Sequence, residues 1–175
     1  MLEDTNRFQW TESRIWLDLY RLVAYFYSSD PLHKLRDVEG YEYDSIKNLR
    51  DMCEKAEIHE LLLKIAASYR THQDSVPGWD GRTGPTNVNP WHNACGTLWP
   101  DAEKEEQEPL QLRDACNKIL HADGLKHVYH EFRDVWNYAL APRLELFGER
   151  NGTRWKAELE IPAFVDCLFY NYGEA

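Results

Sequence analysis

A chain of 175 residues is the size of one ordinary domain, and a 43% hydrophobic composition with 7 Trp, 10 Tyr and 6 Phe can bury a sizeable core, which excludes disorder over the whole length. No apolar run reaches membrane-spanning length, since the longest candidate, near Ile15 to Tyr27, is interrupted by Asp18 and Arg21. The net charge of −10 excludes broad non-specific binding to nucleic acid.

The first residues, Met-Leu-Glu-Asp-Thr-Asn, lack the basic-then-apolar pattern of a secretion signal, so a soluble, cytoplasmic protein without membrane contact is the expectation. Thr11 caps a predicted helix over 11–28, in which Ile15, Trp16, Leu19, Leu22, Val23 and Phe26 recur at helical spacing. Pro31 is expected to end it, because proline disfavours helix at the preceding residue. Residues 31–43 read as a polar and aromatic connection. One long helix or two occupy 44–72, with Ile58, Leu61, Leu62, Ile65, Ala66 and Tyr69 on one face.

Residues 77–100 hold Pro77, Pro85, Pro90 and Pro100 together with Trp79, Trp91 and Trp99, and predict a structured loop covering the end of a bundle. A lid or a stacking platform is the functional alternative for that loop. The acidic stretch 101–108 suits a solvated turn, with a basic protein partner as its alternative role. Pro109 fits the first position of a helix running to about His121 and stopping at Asp123-Gly124. Residues 125–140 fit helix or strand equally well. Leu144–Phe147 and Trp155–Ile161 alternate as strands do, joined across the turn-forming Asn151-Gly152, and Pro162 opens a last short helix carrying Phe164, Val165, Leu168 and Phe169.

Together these elements predict one mainly α domain over 1–175. Four or five helices form a bundle, and a small antiparallel β-hairpin sits near the C-terminus. Cys53, Cys95, Cys116 and Cys167 are widely spaced without a CxxC pair and are expected to be reduced thiols. Phosphate-loop, dinucleotide and nucleophile-elbow motifs are absent from the sequence. His127, His130 and Glu131, and His92 with Cys95, match no zinc spacing, so neither metal nor cofactor is expected.

The predicted 109–121 helix carries the one constellation that suggests chemistry. Leu112, Ala115, Cys116, Ile119 and Leu120 form an apolar face, and Arg113, Asn117 and His121 follow at i, i+4, i+8 beside it. Imidazole moves protons near neutral pH, and guanidinium grips phosphate. The segment 110–157 is also locally basic, with 8 Lys and Arg against 6 Asp and Glu, whereas 1–109 carries 12 against 20. The bland reading is a row of half-exposed polar residues beside a core stripe, with His121 at a helix C-terminus that favours cations.

The run Arg113 through Cys116-Asn117-Lys118-Ile119-Leu120-His121 resembles the motif of the HEPN superfamily, small helical domains found in toxin–antitoxin, abortive-infection and CRISPR-linked proteins. That pattern is an Arg, often followed by a polar residue, then a His after four to six residues. Asn117 and His121 keep the spacing, Cys116 stands where the pattern carries Arg, and Arg113 lies further upstream. The resemblance implies a helical up-and-down bundle, a homodimer with facing motif helices, and RNA as substrate. It also implies His121 as acid/base, Arg113 as the phosphate-stabilising cation and Asn117 as positioning residue in a metal-independent ribonuclease. A non-catalytic dimeric interaction domain is the alternative.

Overall fold

The computed structural model describes residues 12–34, 44–75, 92–130 and 139–172. In chain order the elements are α1 (Glu12–Lys34), α2 (Asp44–Ser75), β1 (Ala94–Trp99), β2 (Glu108–Gln111), α3 (Leu112–Leu120), β3 (Gly124–Tyr129), β4 (Leu140–Arg150), β5 (Thr153–Glu160) and α4 (Ile161–Tyr172). The strands form one antiparallel sheet in the order β2-β1-β5-β4-β3.

The expected helical bundle is therefore corrected to an α+β fold: four helices and a five-stranded sheet among the described residues. What read as a small hairpin is the centre of that sheet. Strands β4 and β5 pair from Arg143↔Glu160 to Arg150↔Thr153. They join at Asn151 and Gly152, whose φ values of 53° and 79° are both positive, as the tight turn that matches strand twist requires.

Trp155, Ala157 and Leu159 on β5 are buried, as are Leu144 and Leu146 on β4, while Lys156, Glu158 and Glu145 alternate with them on the other face. That polar face is held by Glu145, whose carboxylate accepts from Lys126 Nζ at 2.9 Å and Lys156 Nζ at 2.8 Å, tying three strands together. These bonds keep the Glu145 carboxyl below its usual range, Lys156 contributing most. On the apolar face sit α1, α3 and α4, with α2 packed against α1 and α3. Phe164, Leu22, Ile58, Leu62, Leu112, Leu144 and Leu159 fill the core between the layers.

Several boundaries differ from expectation for local reasons. Helix α1 runs through Pro31 to Lys34. Buried Ser29 anchors this turn, its Oγ accepting the Leu140 backbone N–H at 3.0 Å. Residues 44–75 are a single helix. Pro109 lies in β2, not in a helix; β2 is an edge strand, where a residue without an N–H is tolerated. Residues 124–129 are strand. The expected loop over 77–100 is corrected at Ala94–Trp99, which is β1, paired on both sides; residues 76–91, with Trp79, Trp91 and three of its four prolines, lie outside the described residues. No described helix is long and apolar enough to cross a membrane.

Candidate functional site

Helix α3 is short and sharply two-sided. Leu112, Ala115, Cys116 and Ile119 are buried, and Leu120 packs partly buried against the same core. The opposite edge carries Arg113 and Asn117, both partly exposed, and His121, exposed at the C-cap. The expected stripe exists, but it is spread out: eight residues of helix place Arg113 and His121 about 12 Å apart along the axis. The His121 backbone N–H donates to the Asn117 carbonyl at 3.0 Å, closing the last turn. Lys118 stands beside Asn117 with its ammonium 4.0 Å from the centre of the Trp155 ring, which fixes the helix to β5.

Arg113 does not project into open solvent. Its Nη1 donates to Gln73 Oε1 at 3.1 Å, and its Nη2 lies 3.5 Å from Asp74 Oδ1. Gln73 is itself buried, and its amide donates to the Tyr69 hydroxyl at 2.8 Å. A chain of polar contacts from Tyr69 through Gln73 thus aims the guanidinium. Burial pushes the Tyr69 hydroxyl far above its usual range, so it stays a neutral partner.

The last turns of α2 also bring Arg70, which sequence reasoning missed. Arg70 Nη2 lies 3.6 Å from Asp74 Oδ2, so one carboxylate faces two guanidinium groups, and Arg70 Nη1 is buried without a hydrogen-bond partner among the described residues. Cys116 lies against this cluster. Burial raises its thiol well above the ordinary range, against the opposing pull of Arg70 and then Arg113. Arg70 of α2 and Arg113 of α3 thus both bring positive charge close to Cys116. Helical spacing within α2 puts Arg70 and Asp74 at i, i+4, but no local signal points to α3 as their neighbour.

The other expected ligand candidates separate. His127 on β3 is buried and its Nε2 meets His59 Nε2 of α2 at 3.2 Å; His130 is exposed, and Glu131 lies outside the described residues. His92 Nδ1–H donates to Asp166 Oδ2 at 2.5 Å and its ring stacks on Tyr170 with centroids 3.9 Å apart, while Cys95 is turned into the core and donates to the Leu110 carbonyl. Asp166 also borders an apolar groove of about 420 Å³ between α1 and α4, with Val23, Tyr27, Pro162, Val165 and Phe169, on different elements from Arg113 and His121. Cys53, Cys95, Cys116 and Cys167 are all free thiols, Cys53 exposed and the other three buried.

No protein-family model matches this chain, and comparisons with curated proteins and with solved structures found no match.

Proposed function

We propose that this chain acts on RNA through the polar edge of α3, as a HEPN-like, metal-independent ribonuclease of a toxin or phage-defence type. The observation that carries the reading is the two-sidedness of α3. One side is wholly committed to the core, and the other presents Arg113, Asn117 and His121 in a row, ending on an exposed imidazole. In this reading His121 takes the proton of the ribose 2′-hydroxyl. The 2′-oxygen attacks phosphorus, the bond from phosphorus to the 5′-oxygen breaks, and the 5′-oxygen takes back the proton held by the His121 imidazolium, giving a 2′,3′-cyclic phosphate and a 5′-hydroxyl. Arg113 holds backbone phosphate and Asn117 positions the strand. The resemblance of the motif supports this reading through its residues alone, because the up-and-down bundle that the resemblance implies is replaced by an α+β fold with a five-stranded sheet. A homodimer would set two such edges side by side.

A second reading, a non-catalytic interaction domain in which the same edge only holds its ligand, is favoured by one specific observation. Arg113 is already engaged by Gln73 and Asp74 and stands more than two helical turns from His121. RNA incubation in EDTA, wild type beside His121→Ala, separates the two. The ribonuclease reading expects cyclic-phosphate ends and a rate about 100-fold or more lower in the variant. Equal cleavage, or none with RNA still bound, leaves the interaction domain.

A further inference from the structure

The end of α2 and the start of α3 hold two guanidinium groups on one carboxylate. Asp74 Oδ1 lies 3.5 Å from Arg113 Nη2, and Asp74 Oδ2 lies 3.6 Å from Arg70 Nη2. Both separations exceed the roughly 2.7–2.9 Å of a close charge-assisted hydrogen bond. The carboxylate is the loose member of the group: its side chain is 54% exposed, against 20% for Arg70 and 24% for Arg113. Arg70 Nη1 is buried with an N–H donor unused among the described residues. A buried donor without a partner is uncommon in native proteins, and this one belongs to the same planar group as the Nη2 that faces Asp74. Guanidinium groups present paired donors that match the tetrahedral oxygens of phosphate as well as they match carboxylate.

We propose that Arg70 and Arg113 form a binding site for a phosphate group of a nucleic-acid backbone, and that Asp74 occupies it as an internal stand-in until the ligand arrives. Its ligand class rests on the RNA reading above; its place rests on the two guanidinium groups. Gln73 and Tyr69 hold the Arg113 side chain in position, so the site is built before binding and the only motion required is the swing of an exposed aspartate. Cys116 supports the geometry, since its buried thiol feels the charge of both arginines. The site lies at the opposite end of α3 from His121, so a strand gripped here runs along the helix toward the imidazole.

The test uses the intact chain, inorganic phosphate as the probe, and sodium chloride at matched ionic strength as the control. Phosphate should raise the melting temperature where chloride does not. Asp74→Ala should bind phosphate about tenfold more tightly, because it removes the competing carboxylate, and Arg70→Gln should bind about tenfold more weakly. Arg70→Lys, which keeps charge but loses the paired donors, should resemble Arg70→Gln. Should Arg70→Gln fail to fold, exposed Asp74→Ala decides alone. Unchanged affinity in Asp74→Ala, or an equal effect of chloride, overturns the site. Arg70-dependent phosphate binding without RNA cleavage keeps the site and removes the ribonuclease. His121-dependent cleavage that is indifferent to Arg70 and Asp74 keeps the ribonuclease and removes the site.

Discussion

His127 shows how a single side chain sets a property of the fold. Its Nε2 faces His59 Nε2 at 3.2 Å, so one of the two nitrogens must carry a proton and the other must not. His127 Nδ1 is buried and unpartnered among the described residues. A bare lone pair is cheaper to leave there than an N–H, which makes His127 Nε2–H the donor and His59 the acceptor. Burial, then the neighbouring His59 and Lys55, hold His127 down to about 4 from an ordinary 6.5. Between those values the unfolded chain binds a proton that the folded chain refuses, so stability rises with pH and is complete above about 6.5. On acidification toward pH 4 the fold should lose on the order of 2 kcal/mol from this group. Urea midpoints measured across that range should fall for the wild type and fall markedly less for His127→Leu. Parallel curves would show that the imidazole is not responsible. At this scale the stripe Arg113, Asn117 and His121 was legible from helical spacing alone. The meeting of Arg70, Gln73 and Asp74 with Arg113, and the His59–His127 pair, were not, because each joins residues far apart in sequence.

Strand β1 carries the sharpest lesson at the scale of elements. Ala-Cys-Gly-Thr-Leu-Trp lacks the alternation of a half-buried strand, and the pairing with β2 shifts register between Ala94 and Thr97. The irregularity brings Cys95 and Leu98 both inward, at a spacing of three that no period-two reading detects. Gly96 makes this possible, with φ of 152° and the Glu158 carbonyl oxygen only 1.9 Å from where a Cβ would sit. Gly96→Ala should therefore destabilise by about 2 kcal/mol or more, through clash with β5 and backbone strain together. A denaturant titration reads this directly, and a variant as stable as wild type would mean that β1 and β5 separate at little cost. By contrast β4, β5 and their turn were legible, since regular alternation around Asn151-Gly152 carries its own register. The second half of α2 was legible for the same reason, its periodicity being unbroken over Ile58–Tyr69, whereas its continuity back to Asp44 was not, the pattern over 44–72 fitting one helix or two.

The whole molecule is acidic, and any contact with RNA has to be local. The chain carries −10, so no broad field draws nucleic acid to it. If phosphate enters only between Arg70 and Arg113, few counterions leave, and the logarithm of affinity for single-stranded RNA should fall with the logarithm of salt at a slope of about −1. A slope several times steeper would mean a much wider basic surface than these two arginines. Fold class was misread at this scale because strands β1, β2 and β3 are short or irregular, whereas the helices announce themselves by periodicity. Only the closure of one sheet, a tertiary event, shows that five strands belong together. One ring spans both layers of that assembly. Trp155 lies over Gly148, where an added Cβ would sit 2.3 Å from its Cζ2, and beneath the ammonium of Lys118 on α3. Indole emission responds to the electric field across the ring, so this tryptophan is a built-in optical gauge of helix α3. Its contribution is separable from the other six by a Trp155→Phe variant, and a ligand that displaces Lys118 changes its colour without any label.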